Sequence, residues 1–295
     1  MNRPLLCALP GNEEMAALLS ERLGCERGVI QIRRFPDGET YLRYDTPPVG
    51  RSVAVLCTLD RPDEKVMSVI LAASAARKLG AVRVGLVAPY LAYMRQDASF
   101  KPGEAVSAYS FAQLLSAHFD WIATVEPHLH RIHTLCEIFS CASESISVMP
   151  ILADWICREV RSPVVIGPDS ESRQWVGAIA KAAGLPFLTL SKVRQGDRQV
   201  QIQEADLSQC RGRQPVLVDD IISTATTMIE SITYLKANGL AAPLCLGVHG
   251  LFAEEAYTRL LEVGARQIVT TNTVRHPTNG IDVSGSIAKA VQPLL

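Results

Sequence analysis

Short apolar runs alternate with amphipathic stretches along the whole chain, and that alternation limits the folds open to it. Strand-like runs fall at 5–9, 53–58, 83–88, 121–125, 164–167, 187–191, 216–218, 244–248 and 267–271. Apolar residues at helical spacing fill 12–23, 63–79, 108–118, 150–160, 172–183, 227–237 and 254–263 between them. Gly80, Gly184, Gly239 and Gly264 stand where helix C-terminal caps are expected. Repeated β–α–β order predicts an α/β fold of mainly parallel sheets with helices on both faces. At 295 residues the chain is long enough for two such cores. One sheet series ends and another begins near 145–150, so the expected units are 1–147 and 148–295.

Composition narrows the partners. A net charge of −1 provides no global field to attract nucleic acid or an anionic membrane. The longest uncharged runs, such as 237–253, are broken by Gly239, Pro243, Gly247, His249 and Gly250, so no membrane span is expected. The start of the chain lacks a long apolar segment and reads as a first strand rather than a signal peptide. Eight cysteines lie scattered without a CxxC pair. That spacing argues for reduced thiols in the cytoplasm and against a disulfide or zinc framework.

The most informative stretch is Val216-Leu217-Val218-Asp219-Asp220-Ile221-Ile222-Ser223-Thr224-Ala225-Thr226-Thr227-Met228. A β-branched run meets two carboxylates, then a hydroxyl-dense loop, then a helix start. Open α/β sheets bind ligands at such strand ends. Loop and helix N–H groups suit a phosphate, with Ser223, Thr224, Thr226 and Thr227 adding hydroxyls. Asp219 and Asp220 would repel that phosphate but can accept hydrogen bonds from sugar hydroxyls. A phosphosugar fits both halves; an N-cap and a solvated loop is the competing reading.

Other segments at strand ends carry weaker signals. Phe35-Pro36-Asp37-Gly38-Glu39 is a fixed turn on which an aromatic and two acids suit a nucleobase, or a plain surface turn. Arg95, followed by Gln96 and Asp97, offers a planar cation for a phosphate or a base face ahead of a Gly/Pro-bearing loop. His128, His130 and His133 suggest metal, yet no further ligand completes a zinc site. Asp169 suits Mg²⁺ or a turn. Lys192 and Arg194, on alternate residues past a strand, suit a transferring phosphoryl group or an exposed basic hairpin.

Taken in order, these segments resemble the ribose-phosphate pyrophosphokinase family, in its archaeal flavour, over nearly the whole chain. The resemblance implies two tandem phosphoribosyltransferase-like domains, with the tail 271–284 and the residues after it packing back on the first. It implies transfer of the β,γ-diphosphoryl group of Mg·ATP to the 1-hydroxyl of ribose 5-phosphate, giving phosphoribosyl pyrophosphate and AMP. Phe35, Asp37 and Glu39 would hold adenine across a subunit boundary of a homo-oligomer, dimer or hexamer. Arg95, Gln96 and Asp97 would bind ATP, His128 and Asp169 would lie at the Mg²⁺ sites, and Lys192 and Arg194 would be catalytic. Asp219, Asp220, Ser223, Thr224, Ala225, Thr226 and Thr227 would hold ribose 5-phosphate.

Two departures bear on that expectation. Glycines usual in the ribose-phosphate loop are replaced by Ala225-Thr226-Thr227, and the loop after Asp169 reads Ser170-Glu171-Ser172. The alternatives are a non-catalytic regulatory paralogue that keeps the fold, and a phosphoribosyltransferase, which would share the 219–227 loop but have no need of 35–39.

Overall fold

The computed structural model describes residues 3–195, 199–202 and 206–295, with backbone alone over 192–195 and 199–202. The chain divides into two units, one of 1–147 with 273–275 and 283–295, the other of 148–272 with 276–282.

In the first unit, β1 (Leu5–Ala8), α1 (Glu13–Leu23) and β2 (Glu26–Gly28) lead into a hairpin of β3 (Ile30–Arg34) and β4 (Thr40–Tyr44). Then come β5 (Ser52–Leu56), α2 (Pro62–Lys78), β6 (Arg83–Ala88), α3 (Ser107–Ser116), β7 (Trp121–Val125) and β8 (Ala142–Ile146). The sheet order is β2-β1-β5-β6-β7-β8, and every pairing in it is parallel. β5 and β7 are buried at every residue, as a sheet covered on both faces requires.

The second unit contains α4 (Met149–Glu159), β9 (Pro163–Gly167), α5 (Arg173–Ala183) and β10 (Phe187–Thr189), then a hairpin of β11 (Lys192–Gln195) and β12 (Gln199–Ile202). It continues with β13 (Gln214–Ile222), α6 (Thr226–Ala237), β14 (Leu244–Gly250), α7 (Ala256–Val263), β15 (Gln267–Thr271) and β16 (Asn279–Ile281). Its sheet order is β10-β9-β13-β14-β15-β16, again parallel throughout. The two units therefore repeat one topology, each with an antiparallel hairpin inserted after its second strand. The core of the second unit gathers Ile166, Leu217, Ile222, Met228, Ile232 and Leu260 between sheet and helices.

The last helix, α8 (Ser284–Val291), belongs to the first unit, where it packs on α1, and Arg22 Nε donates to Ser284 Oγ at 2.9 Å. All eight cysteines are free thiols. Among the described residues no helix is long and apolar enough to cross a membrane.

β13 is longer than its apolar run. The apolar run predicts an end at Val218, but Asp219 to Ile222 continue the strand because β14 keeps pairing with it as far as Ile222 opposite Gly250. On its other side β9 has paired only as far as Leu217 opposite Ile166. Asp219 and Asp220 thus lie on a strand with one edge released.

Candidate active site

The released edge of β13 faces the end of β9, where the sheet order reverses direction between β9 and β13. A crevice at the carboxyl ends of such neighbours is the ligand position of open α/β sheets. β9 ends at Gly167, and a Cβ there would come within 2.2 Å of Ser172 Oγ, so only glycine lets the next turn fold back. That turn is tied by Asp169: its Oδ1 accepts the N–H groups of Glu171 and Ser172, both at 3.1 Å. Ser172 Oγ donates to the Asp169 carbonyl at 2.6 Å. Asp169 is therefore a turn acid by geometry, with Oδ2 unbonded among the described residues. Glu171, the electrostatically awkward residue of this loop, is exposed.

Asp220 is buried at 3% exposure, and its N–H donates to Asp219 Oδ1 at 3.1 Å. Burial first, then the neighbouring charges of Asp220 and Asp169, hold the Asp219 carboxyl well above the usual carboxylate range. Three carboxylates thus concentrate negative potential at one crevice. No set of three His, Cys, Asp or Glu side chains is placed to cage a metal among the described residues. Mg²⁺ fits such a site, since it favours one or two carboxylates plus substrate phosphates over an all-protein cage.

The hydroxyl loop follows directly. Ser223, Thr224 and Thr227 are half-buried, Thr226 is exposed, and Thr224 Oγ1 lies 3.2 Å from Thr226 Oγ1. Ala225 occupies the N-cap of α6 at φ 58° and ψ 13°, the left-handed region that glycine normally fills. Its carbonyl accepts the Ile229 N–H at 2.9 Å, while the first N–H groups of α6 are left for a ligand. Behind the loop, the Ile222 carbonyl accepts the N–H groups of Leu251 and Phe252 at 2.9 and 3.0 Å. The loop is held from both sides, and glycine's backbone shape survives without glycine.

Lys192 and Arg194 lie on β11, opposite Ile202 and Val200 of β12. Their side chains fall outside the described residues.

In the first unit, 35–39 closes the β3–β4 hairpin. Phe35 N–H donates to the Glu39 carbonyl at 2.8 Å, Gly38 sits at φ 93°, and Asp37 Oδ1 accepts the Glu39 N–H at 3.2 Å. Phe35 is 38% exposed, and the Arg33 guanidinium lies 4.4 Å from the centroids of both Phe35 and Tyr41. Asp37 and Glu39 are exposed beside it.

Two further loops leave the carboxyl ends of the adjacent strands β6 and β7. The first carries Arg95, exposed, and Gln96, half-buried; the second carries His128, half-buried, after Glu126 at φ 34°. His130 and His133 are exposed, and the His133 backbone N–H donates to Glu137 Oε1 at 3.0 Å. Asp97 is buried at 7% exposure and bonded to Arg131, a residue that no strand-end pattern singled out.

Comparison with known proteins gives this geometry a context. Residues 5–118 match the family model described as the N-terminal domain of ribose phosphate pyrophosphokinase, and 148–284 match the phosphoribosyl transferase domain. A ribose-phosphate pyrophosphokinase of Methanopyrus kandleri is 36% identical over 279 residues, covering 94% of each chain. One of Sulfolobus acidocaldarius is 30% identical over 286 residues, covering 95% of this chain and 96% of its own. The crystal structure of phosphoribosylpyrophosphate synthetase from Mycobacterium smegmatis shares the fold, with a TM-score of 0.88 at 23% identity over 99% of both chains.

Proposed function

The chain belongs to the ribose-phosphate pyrophosphokinase family, and on that premise we propose that it joins the diphosphoryl group of ATP to ribose 5-phosphate. The observation that carries the reading is the end of β13. Paired acids on a released strand edge run into a hydroxyl loop whose left-handed Ala225 opens α6. Sugar hydroxyls go to Asp219 and Asp220, and the 5-phosphate goes to Ser223, Thr224, Thr226, Thr227 and the N-terminal amides of α6.

In the first unit, Phe35 stacks on adenine while Asp37 and Glu39 accept from its amino group, supplied by the neighbouring subunit of a homo-oligomer. Arg95 and Gln96 bind the ATP phosphates. His128 of the first unit and Asp169 of the second would each lie at a Mg²⁺ site, and Mg²⁺ on binding would neutralise phosphate charge. In the reaction the 1-hydroxyl oxygen of ribose 5-phosphate attacks the β-phosphorus in line. A new C1–O–P bond forms, the bond from the β-phosphorus to the oxygen bridging to the α-phosphorus breaks, and AMP leaves with that oxygen. The hydroxyl proton passes to solvent. Such transfers need positioning and charge neutralisation more than covalent help. Lys192 and Arg194 neutralise charge developing on the transferred and leaving groups. The free thiols and near-neutral net charge support a cytoplasmic enzyme acting on small molecules.

Lys192→Ala and Asp220→Asn, assayed with Mg·ATP and ribose 5-phosphate, test the assignment. The first should lose at least ~10²-fold in kcat, as removal of a transition-state charge partner does. The second should raise the KM for ribose 5-phosphate. Full synthetase activity in Lys192→Ala would remove the catalytic assignment.

A further inference from the structure

Asp97 and Arg131 tie together the two loops that leave β6 and β7. One carboxylate oxygen of Asp97 accepts the Arg131 backbone N–H at 2.8 Å, and the other accepts from Arg131 Nη1 at 2.9 Å. The Asp97 side chain is 3% exposed, whereas that of Arg131 is 48% exposed. A carboxylate so enclosed has no free edge to offer a nucleotide. The guanidinium has five donors, and among the described residues only Nη1 is engaged, so Nη2 and Nε remain open on the solvent side.

The loop between them fixes that guanidinium from a second direction. Arg131 Cζ lies 4.9 Å from the centroid of the Phe100 ring. Phe100 is held in turn by Glu104, whose Oε2 accepts the N–H groups of Phe100 and Lys101 at 2.8 and 3.0 Å. The same oxygen accepts from Gln96 Nε2 at 3.4 Å. Ala108 N–H donates to the Gln96 carbonyl at 3.3 Å, which returns the segment to the start of α3. Segment 95–107 is a closed, internally bonded loop that supplies both the carboxylate and the ring against which Arg131 is set. Its exposed cations are Arg95 and Lys101, joined by Arg131 of the neighbouring loop; of its acids, Glu104 is turned to the loop's own donors and Asp97 to Arg131.

We propose that Arg131 is a second phosphate-binding arginine of the nucleotide half-site, and that Asp97 is its positioning residue rather than a ligand of ATP. The assignment rests on the first unit being the ATP-binding half. A planar fork held on one edge by a carboxylate presents its other edge bidentately to a phosphate, a geometry that lysine cannot copy.

Calorimetric titration of the full chain with Mg·ATP, and separately with adenosine, tests this without requiring turnover. Arg131→Ala should weaken Mg·ATP about tenfold or more while leaving adenosine unchanged. Asp97→Asn keeps the shape and the bond from the Arg131 N–H, and should weaken Mg·ATP in the same direction by less. Arg131→Lys should recover only part of the loss. In turnover, KM for ATP should rise in these variants with KM for ribose 5-phosphate unchanged. Equal Mg·ATP affinity in Arg131→Ala and the parent chain overturns the proposal. So does a matching loss of adenosine affinity, which would mark a merely structural role. A parent chain that binds Mg·ATP through Arg131 yet makes no product overturns the synthetase reading alone.

Discussion

Ala225 supports the 223–227 loop in a conformation that a Cβ resists by roughly 1 kcal/mol or more. Its φ of 58° sits between two bonded flanks, the Ile222 carbonyl before it and the first turn of α6 after it. Ala225→Gly should therefore stabilise the protein by about 1 kcal/mol in urea unfolding, with KM for ribose 5-phosphate little changed. Ala225→Val adds a β-branch where none is tolerated and should lower both stability and activity. Asp219 stores a different strain. Its carboxyl is raised in the folded chain by burial and by Asp220 and Asp169, so its contribution is complete at low pH and is lost as pH rises through the folded value. Asp219→Asn should accordingly raise the melting temperature of the ligand-free protein at neutral pH, flatten its decline above the carboxylate range, and weaken ribose 5-phosphate binding. Asp97 has the opposite sign. Burial pushes its carboxyl up, but the N–H and guanidinium of Arg131 outweigh it and leave it below the usual range. Its stabilisation is therefore present at neutral pH and lost as pH falls through the folded value. Asp97→Asn should cost about 1–2 kcal/mol at neutral pH, less than a fully buried pair because Arg131 is half exposed.

At the scale of elements, both units insert an antiparallel hairpin after the second strand of an otherwise parallel sheet. One hairpin carries Phe35, Asp37 and Glu39, and the other carries Lys192 and Arg194, so an aromatic-and-acidic set and a basic set occupy equivalent places in a repeated topology. Phe35→Ala should raise KM for ATP about tenfold if the ring stacks on adenine, while stability changes by no more than ~1 kcal/mol because the ring is partly exposed and packs mainly on Arg33 and Tyr41. The buried strands β5, β6, β7, β9 and β14 were legible because strands covered on both faces read as unbroken apolar runs. β2, with the sequence Glu26-Arg27-Gly28, and β8, Ala142-Ser143-Glu144-Ser145-Ile146, were not legible: edge strands are polar and carry no such run. The extension of β13 through its acids was hidden for a related reason. Carboxylates are poor strand formers, and only continued pairing with β14 keeps them in the ladder.

For the whole molecule, the ordered series of strand-end motifs carried the fold and the family, and the pairing of side chains carried what the series could not. Gln96 beside Asp97 reads as two polar neighbours in sequence. Only the fold shows one half-buried in a loop ring and the other enclosed against Arg131, thirty-four residues away. Conversely, the sequence shows Ala225-Thr226-Thr227 where glycines are usual, but only the fold shows that Ala225 itself takes the left-handed conformation glycine favours. The measurement that tests the central claim most directly is a Mg²⁺-dependent assay of the purified full chain with ATP and ribose 5-phosphate, following AMP and phosphoribosyl pyrophosphate together. Equal, simultaneous formation of both products is the expected result. Formation of ADP in place of AMP, or tight binding of both substrates with neither product formed, would contradict it.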